Sequence, residues 1–309
     1  MEFGMTTLPL SDIIRDSFAL AWRNKYLWLF GLFAGGAGGG LQFPGGDSST
    51  GLERIEEIQA WVLAAIGMII LIGLVVGTIV LVLHTLCKSA LIYNIYQIET
   101  GGAHTLAGGW DFAVKRFWPM LGLTVTQWFV LFAFVMIIVI VEVVLFMASL
   151  ALGFLSLLVA LPLLFAGVAI AMVVWTYAER FIALENRGVI EALGEAWALG
   201  KYEWRTSLTV LLIKIAIAIA FGIVVGLIGL ILALPAVGIW AASKPLAILY
   251  GVLVLVPYLV LVGGYFGTFD YSVWTKVFLK LRASAYGTAV QTSTPPPSAG
   301  DGAPPPLFE

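Results

Sequence analysis

The sequence has few of the residues that disulfides and metal centres require. It contains one cysteine, Cys87, and two histidines, His84 and His104. One cysteine excludes an internal disulfide and a cysteine-based zinc site, and two histidines are too few for a histidine-rich metal centre. We therefore expect no metal and no other cofactor.

Charge is also scarce. Only 11% of the residues are charged and 61% are hydrophobic, with a mean hydropathy of +1.02. A soluble domain has roughly 25% charged residues, so this chain cannot cover a globule with polar surface. The composition predicts an all-α integral membrane protein whose first partner is the lipid bilayer. No basic tract lies outside the membrane-flanking positions, so nucleic acid is not an expected partner.

Motifs of common enzyme classes are missing. There is no G-x-S-x-G elbow and no H-E-x-x-H, and the glycines at 35–40 lack the strand and helix of a nucleotide site. Glu53, Glu56 and Glu57 could chelate a cation, but a solvated helix start explains them more simply. We expect that the protein is not an enzyme.

Six apolar runs predict about six transmembrane helices within a membrane domain of residues 1–286. The first run is short and glycine-rich, so it forms either a thin, tilted transmembrane helix or a re-entrant helix. The third and fourth merge, but basic residues flank both ends of the merged stretch, which favours two spans with a turn within 149–156. The runs are 26–41, 60–86, 119–148, 150–178, 207–234 and 246–273.

The distribution of Lys and Arg predicts the orientation. Thirteen of the 16 fall on one side, only Arg54 and Lys244 on the other, and Lys214 inside a span. This asymmetry predicts a plasma (inner) membrane protein of bacterial type with cytoplasmic N- and C-termini. The thirteen are Arg15, Arg23, Lys25, Lys88, Lys115, Arg116, Arg180, Arg187, Lys201, Arg205, Lys276, Lys280 and Arg282. The Pro-rich tail, 287–309, is expected to be disordered and cytoplasmic; a polyproline ligand is the alternative.

Three amphipathic segments precede the odd-numbered runs and predict interfacial helices. Each has an aromatic residue among small ones, at Phe18, Phe112 and Trp197, which lie 94 and 85 residues apart. Trp110 and Trp204 are further candidate anchors. In the third segment Ile190, Trp197 and Trp204 share one predicted apolar face. The spacing predicts three pseudo-repeats of an interfacial helix plus a two-span hairpin. The alternative is that interfacial helices converge on this composition.

Two runs within these segments carry a family resemblance. ETGGAHTLAGGWDFAVKRFWPMLGL (99–123) and ERFIALENRGVIEALGEAWALGKYEWRTSL (179–208) resemble the membrane domain of bacterial glycerophosphoryl diester phosphodiesterases and related stand-alone multi-span proteins. In the phosphodiesterases a separate soluble barrel performs the chemistry, and we expect no counterpart of it here. The resemblance therefore implies a membrane scaffold and argues against phosphodiesterase activity.

Ionisable residues inside apolar runs are candidate functional positions, because each costs at least about 2.5 kcal/mol near the bilayer centre. Glu142 could bind a proton or a cation or accept a hydrogen bond from a lipid head group; alternatively, its carboxyl group could reach the outer interface or pair across helices. Lys214 could extend its ammonium to the interface, and Asp270 could be an interfacial polar group.

Glycines four apart, at Gly73/Gly77, Gly222/Gly226 and Gly263/Gly267, predict close helix packing within the bundle or between protomers.

Two functions remain open. The first is a non-catalytic scaffold or partner of other membrane or envelope proteins. The second is a transporter or lipid-handling protein with a path near Glu142.

Overall fold

The computed structural model of the protein describes residues 9–36 and 55–286. Within these ranges all regular structure is helical, as the composition predicts. The helices are α1 (Leu10–Arg23), α2 (Leu27–Gly31) with a π-helical turn (Leu32–Gly36), α3 (Ile55–Thr100), α4 (Leu106–Lys115), α5 (Phe117–Ala148), α6 (Leu150–Glu185), α7 (Val189–Tyr202), α8 (Trp204–Ala242), α9 (Lys244–Tyr250) with a second π-helical turn (Gly251–Leu255), and α10 (Val256–Tyr286).

Five helical stretches are long and apolar enough to cross a membrane. They are Ile66–Thr100, Phe117–Ala148, Leu150–Glu185, Trp204–Ala242 and Lys244–Ala285. The described part of the first predicted run, 26–41, consists of α2 and its π-helical turn, five residues each. That length covers about 15 Å of a hydrocarbon core of about 30 Å. The rest of this run, and the tail 287–309, lie outside the described residues.

The long apolar stretch in the middle of the chain breaks once. α5 ends at Ala148 and α6 begins at Leu150, so the break lies at Ser149, inside the predicted interval. Ser149 has extended backbone angles, φ −166° and ψ 133°. α5 and α6 then pack along each other as a hairpin.

The buried core lies at one end of the molecule, which we call the packed end. It is built from the C-terminal parts of α3, α6 and α10, roughly 85–100, 173–185 and 268–285. The short helices cover this core: α1 packs on α10, α4 on α3 and α7 on α6. Each short helix therefore lies against a long one.

Left-handed residues make two of these packings possible. α3 is followed by Gly101 at φ +73°, and α6 by Asn186 at φ +59°. This conformation closes a helix C-terminus and reverses the chain direction. After Gly101 the chain enters α4, where the Thr105 hydroxyl caps the helix by accepting a hydrogen bond from the Gly108 N–H at 3.0 Å.

The apolar parts of the long helices form what we call the arms: the first half of α3, the α5–α6 hairpin, and α8 with α9 and the start of α10. Every residue in 66–79 of α3 is exposed. The most apolar windows of the five candidate spans are 0–6% buried inside the protein. Lipid tails are as apolar as these side chains, so no hydrophobic force in a bilayer drives the arms together.

Glycine allows one close helix crossing, between α2 and α10. A methyl group on Gly267 would overlap the Gly31 carbonyl, and one on Gly264 would overlap backbone at Trp28. The predicted glycine packing thus occurs around Gly263 and Gly267. The two other pairs, Gly73/Gly77 and Gly222/Gly226, do not mediate helix packing within the described chain, which corrects that part of the prediction. A Cβ added at any of these four glycines would meet nothing within 4 Å.

Candidate functional site

A buried charge cluster lies at the centre of the packed end. Glu179 on α6 accepts from two cations: Lys88 Nζ of α3 lies 2.8 Å from Oε1, and Arg180 Nη1 lies 3.3 Å from Oε2. Arg180 is 1% exposed; it also donates to the Thr176 carbonyl at 2.6 Å and lies 5.3 Å from the ring centre of Tyr271. Burying an unpaired charge carries a large desolvation cost, and the Glu179 carboxylate offsets this cost for both cations.

A second ion pair joins two residues that the sequence marked separately. Lys214 Nζ of α8 lies 2.6 Å from Asp270 Oδ1 of α10, and 5.5 Å from the ring centre of Trp274. Both side chains are about one-fifth exposed. The sequence treated the two residues separately, a lysine extended to the interface and an interfacial aspartate, and the structure adds that they pair across helices. A cavity of about 10 Å³ next to Lys214, between α1, α8 and α10, has room for about one water molecule.

The three long helices of the packed end are tied pairwise by ion pairs, one for each pair of helices. α3 and α6 are joined by Lys88–Glu179, α3 and α10 by Glu99–Lys276 at 3.0 Å, and α6 and α10 by Glu185–Arg282. We call these three pairs the ion-pair triangle. Four of its six side chains are at most 10% exposed, and Glu99 and Arg282, at 30% and 21%, are its more exposed members.

Glu142 lies apart from this network, on the α5–α6 hairpin. Its Oε2 accepts a hydrogen bond from the Ser156 hydroxyl at 2.7 Å, which joins the two helices of the hairpin. The Ser156 hydroxyl also lies 2.9 Å from the Gly153 carbonyl. The structure therefore brings Lys214 and Asp270 together and leaves Glu142 on an arm.

The five predicted aromatic anchors fall into two groups. Phe18 stacks on Phe269 of α10 at 4.0 Å, and Phe112 stacks on Tyr93 of α3 at 4.3 Å between ring centres. These two rings attach their short helices to the protein. The three tryptophans are exposed, Trp110 by 38%, Trp197 by 54% and Trp204 by 56%.

The contact face of α7 differs from the predicted apolar face. α7 buries the small residues Ala192 and Ala196 and also Leu199, whereas Ile190 and Trp197 are exposed. Small side chains permit close helix approach, which explains why this face lies against α6. The large apolar side chains Ile190 and Trp197 are left on the outer surface of the protein.

Sequence reasoning used Lys88, Arg180 and Lys276 only as markers of orientation, and it missed the partners Glu179 and Glu99. A usable signal is present around Glu179 and Arg180. They lie in YAERFIAL (177–184), where apolar residues occupy positions on all sides of the helix. A charged residue with apolar neighbours three and four positions away on both sides is surrounded on its own helix, and this indicates burial.

Outside the candidate spans, burial shifts two pKa values. It raises the pKa of the Tyr26 phenol to about 12 and lowers the pKa of the Arg116 guanidinium. Tyrosine with a raised pKa is neutral at pH 7, and arginine stays charged in proteins. Both groups therefore keep their ordinary charge at neutral pH. In the part of the chain that the structure describes, no group of three His, Cys, Asp or Glu side chains could hold a metal ion.

Comparison with known families gives one assignment. The chain belongs to a family of unknown function, DUF7544, whose model matches residues 21–281. No curated protein and no solved structure matches the chain significantly.

Proposed function

For this member of a family of unknown function, we propose the role of a non-catalytic scaffold in the plasma (inner) membrane. The observation that carries the proposal is the ion-pair triangle, which ties α3, α6 and α10 together at the packed end. A scaffold needs a rigid part that holds its binding surfaces in place. In this proposal the packed end is that part, and the arms are the surfaces.

The arms support the proposal because, apart from the contacts within the α5–α6 hairpin and between α8, α9 and α10, many of their apolar side chains are exposed. Between 66 and 79 every side chain of α3 is exposed. Lipids or the transmembrane helices of other envelope proteins would cover these faces. Helix association in a bilayer relies on close packing, for which the open Gly222/Gly226 face is suited.

The Lys and Arg asymmetry supports a cytoplasmic packed end and cytoplasmic termini. Single cysteines at Lys201 and Lys244, in a Cys87→Ser background, test this orientation in intact cells. We expect a membrane-impermeant thiol reagent to label position 244 and to leave 201 unlabelled until the cells are opened. The reverse pattern would overturn the orientation.

We also infer that the chain has three related units. The support is that each short helix packs on a long one, α1 on α10, α4 on α3 and α7 on α6. The likeness to the membrane domain of glycerophosphoryl diester phosphodiesterases stays a hypothesis. Under this hypothesis, the present chain is a membrane scaffold without phosphodiesterase activity.

Photo-cross-linking tests the scaffold. A photoreactive amino acid is placed at Ile72, Phe132 or Ile223, one exposed position on each arm, and at Ile92 of the buried core as the matched control. In native membranes we expect discrete protein adducts from at least one arm position and none from Ile92. Lipid adducts alone at all three positions would contradict a protein scaffold.

Lipid adducts alone at the arm positions would favour the second candidate function, lipid handling. The observation for it is the Glu142–Ser156 pair, a polar contact inside an otherwise apolar hairpin. Its test is movement of fluorescent lipids between leaflets of vesicles that contain the protein. Transfer that Glu142→Gln abolishes would establish it, and transfer equal to that of protein-free vesicles would exclude it.

A further inference from the structure

Three equivalent places in the chain combine two cations with an aromatic ring. Each lies where a short helix ends and the next helix, at the start of an apolar run, begins, and we call them the junctions. The α1–α2 junction contains Trp22, Arg23 and Lys25; the α4–α5 junction contains Phe112, Lys115 and Arg116; the α7–α8 junction contains Lys201, Trp204 and Arg205.

At every junction one cation lies over the ring. Lys25 Nζ is 5.7 Å from the Trp22 ring centre, Arg116 Cζ is 5.9 Å from that of Phe112, and Arg205 Cζ is 5.4 Å from that of Trp204. These distances are typical of cation–π contacts. The contact holds the cation in place without neutralising it.

Within 9–36 and 55–286, the junction cations have no carboxylate partner. Among the described residues, no Asp or Glu oxygen lies within 4 Å of any of the six, although the exposed Arg15 and the half-buried Arg187 both have such partners. Five of the six are exposed, and Arg116 is half-buried. Each junction therefore has two positive charges that remain available to an anion.

The position of the junctions selects the anion. α5 and α8 are candidate spans that begin at Phe117 and Trp204, so their junctions lie at the edge of the apolar region. Phospholipid phosphates occupy this depth, and exposed aromatic rings such as Trp22 and Trp204 prefer it. A soluble anion would gain nothing from the apolar surface that follows each junction.

We propose that each junction binds the head group of an anionic phospholipid, with its two cations on the phosphate; at the α1–α2 and α7–α8 junctions the exposed rings of Trp22 and Trp204 lie against the glycerol backbone. The protein thus has three such sites around the packed end. This inference does not depend on the scaffold role, because it concerns the lipids that the protein selects.

Native mass spectrometry of the full chain tests the proposal. The protein, in a neutral detergent, is mixed with equal amounts of phosphatidylglycerol and phosphatidylcholine of the same acyl chains. We expect up to three phosphatidylglycerol molecules to be retained in preference to phosphatidylcholine. The double variant K201Q/R205Q should lose one, with affinity reduced roughly fivefold per cation removed.

The matched control is K244Q/K280Q, which removes two exposed cations outside the junctions. It should retain the full number of phosphatidylglycerol molecules. K115Q alone provides a second test at the α4–α5 junction without altering half-buried Arg116. The folded state of each variant is checked by its thermal unfolding in detergent.

Three results would overturn the proposal: equal retention of both lipids, an equal loss in K244Q/K280Q, or no loss in both K201Q/R205Q and K115Q. Millimolar glycerol 3-phosphate distinguishes a lipid from a soluble phosphate ligand. It should leave bound phosphatidylglycerol in place, and full displacement would contradict a lipid as the occupant.

Discussion

Helix α3 passes through both regions of this molecule and is different in each. In the arm, 66–79 are all exposed; at the packed end, 85–95 are all buried. The exposed part is almost wholly apolar, whereas the buried part includes Lys88, Ser89 and Asn94. The more polar part of the helix is therefore the part inside the protein.

This inversion follows from the solvent on each side. Lipid covers apolar side chains at no cost, so the arms need no protein neighbours. Charged and hydrogen-bonding groups cannot face lipid, so they are brought together and paired at the packed end. Four experiments can break or sharpen this comparison.

The largest effect is expected at Glu179. Glu179→Gln leaves Lys88 and Arg180 buried without a carboxylate, so the free energy of unfolding should fall by about 3–5 kcal/mol. Denaturant titration in detergent micelles measures it. Glu191→Gln removes an exposed partner of Arg187 at the same end and should cost less than about 1 kcal/mol. Equal effects would mean that the charge cluster is not buried.

A glycine comparison is next in size. Gly267→Ala places a methyl group on the Gly31 carbonyl and should destabilise the protein by about 1–3 kcal/mol, as overpacking does. Gly226→Ala, on an open arm, should be neutral or slightly stabilising, since alanine favours helix more than glycine. If Gly226→Ala weakened the protein in bilayers but not in detergent, the arm would be packed against a partner in the membrane.

The Lys214–Asp270 pair should be intermediate, because it lies at the edge of the packed end. A double-mutant cycle with Lys214→Met and Asp270→Asn should give a coupling of about 1–2 kcal/mol in unfolding free energy. The same cycle on Arg187 and Glu191 serves as the exposed reference, expected near 0.5 kcal/mol. A coupling near zero for Lys214 and Asp270 would place the pair among surface contacts.

The smallest effect is expected on the arm, at Glu142. Glu142→Gln keeps an acceptor for the Ser156 hydroxyl, so unfolding free energy should change by at most about 1 kcal/mol. Ser156→Ala is the companion variant, measured in the same micelles. A loss above about 3 kcal/mol in either would show that the arm holds a buried polar centre, and the contrast between the two regions would fail.

Several features of the fold could be predicted locally. The helical class, the break between α5 and α6 and the Thr105 cap depend on composition or on residues close in the chain. The contact faces of the short helices were harder. The sequence predicted an apolar face of α7 that includes Trp197 but gave no prediction of the face that packs on α6, where Ala192 and Ala196 are buried because small side chains permit close approach.

The sequence identified some residues of the candidate site one by one, but it did not predict which of them would be in contact. Lys214 and Asp270 were marked separately because charges inside apolar runs are unusual, but their distance of 2.6 Å depends on how α8 crosses α10. Glu99 gave no signal, since a charge near a helix end is ordinarily solvated, and Lys276 served only as a marker of orientation.

The sequence alone determined that this is an all-α chain with apolar helices long enough to cross a membrane, because hydrophobicity and helix length are local properties. Only the tertiary structure decided which charges meet. Lys88, Glu179 and Arg180 come from helices whose relative rotation and depth no single segment specifies. The ion-pair triangle exists because three long helices converge at one end, where their charges cannot face lipid and must face one another.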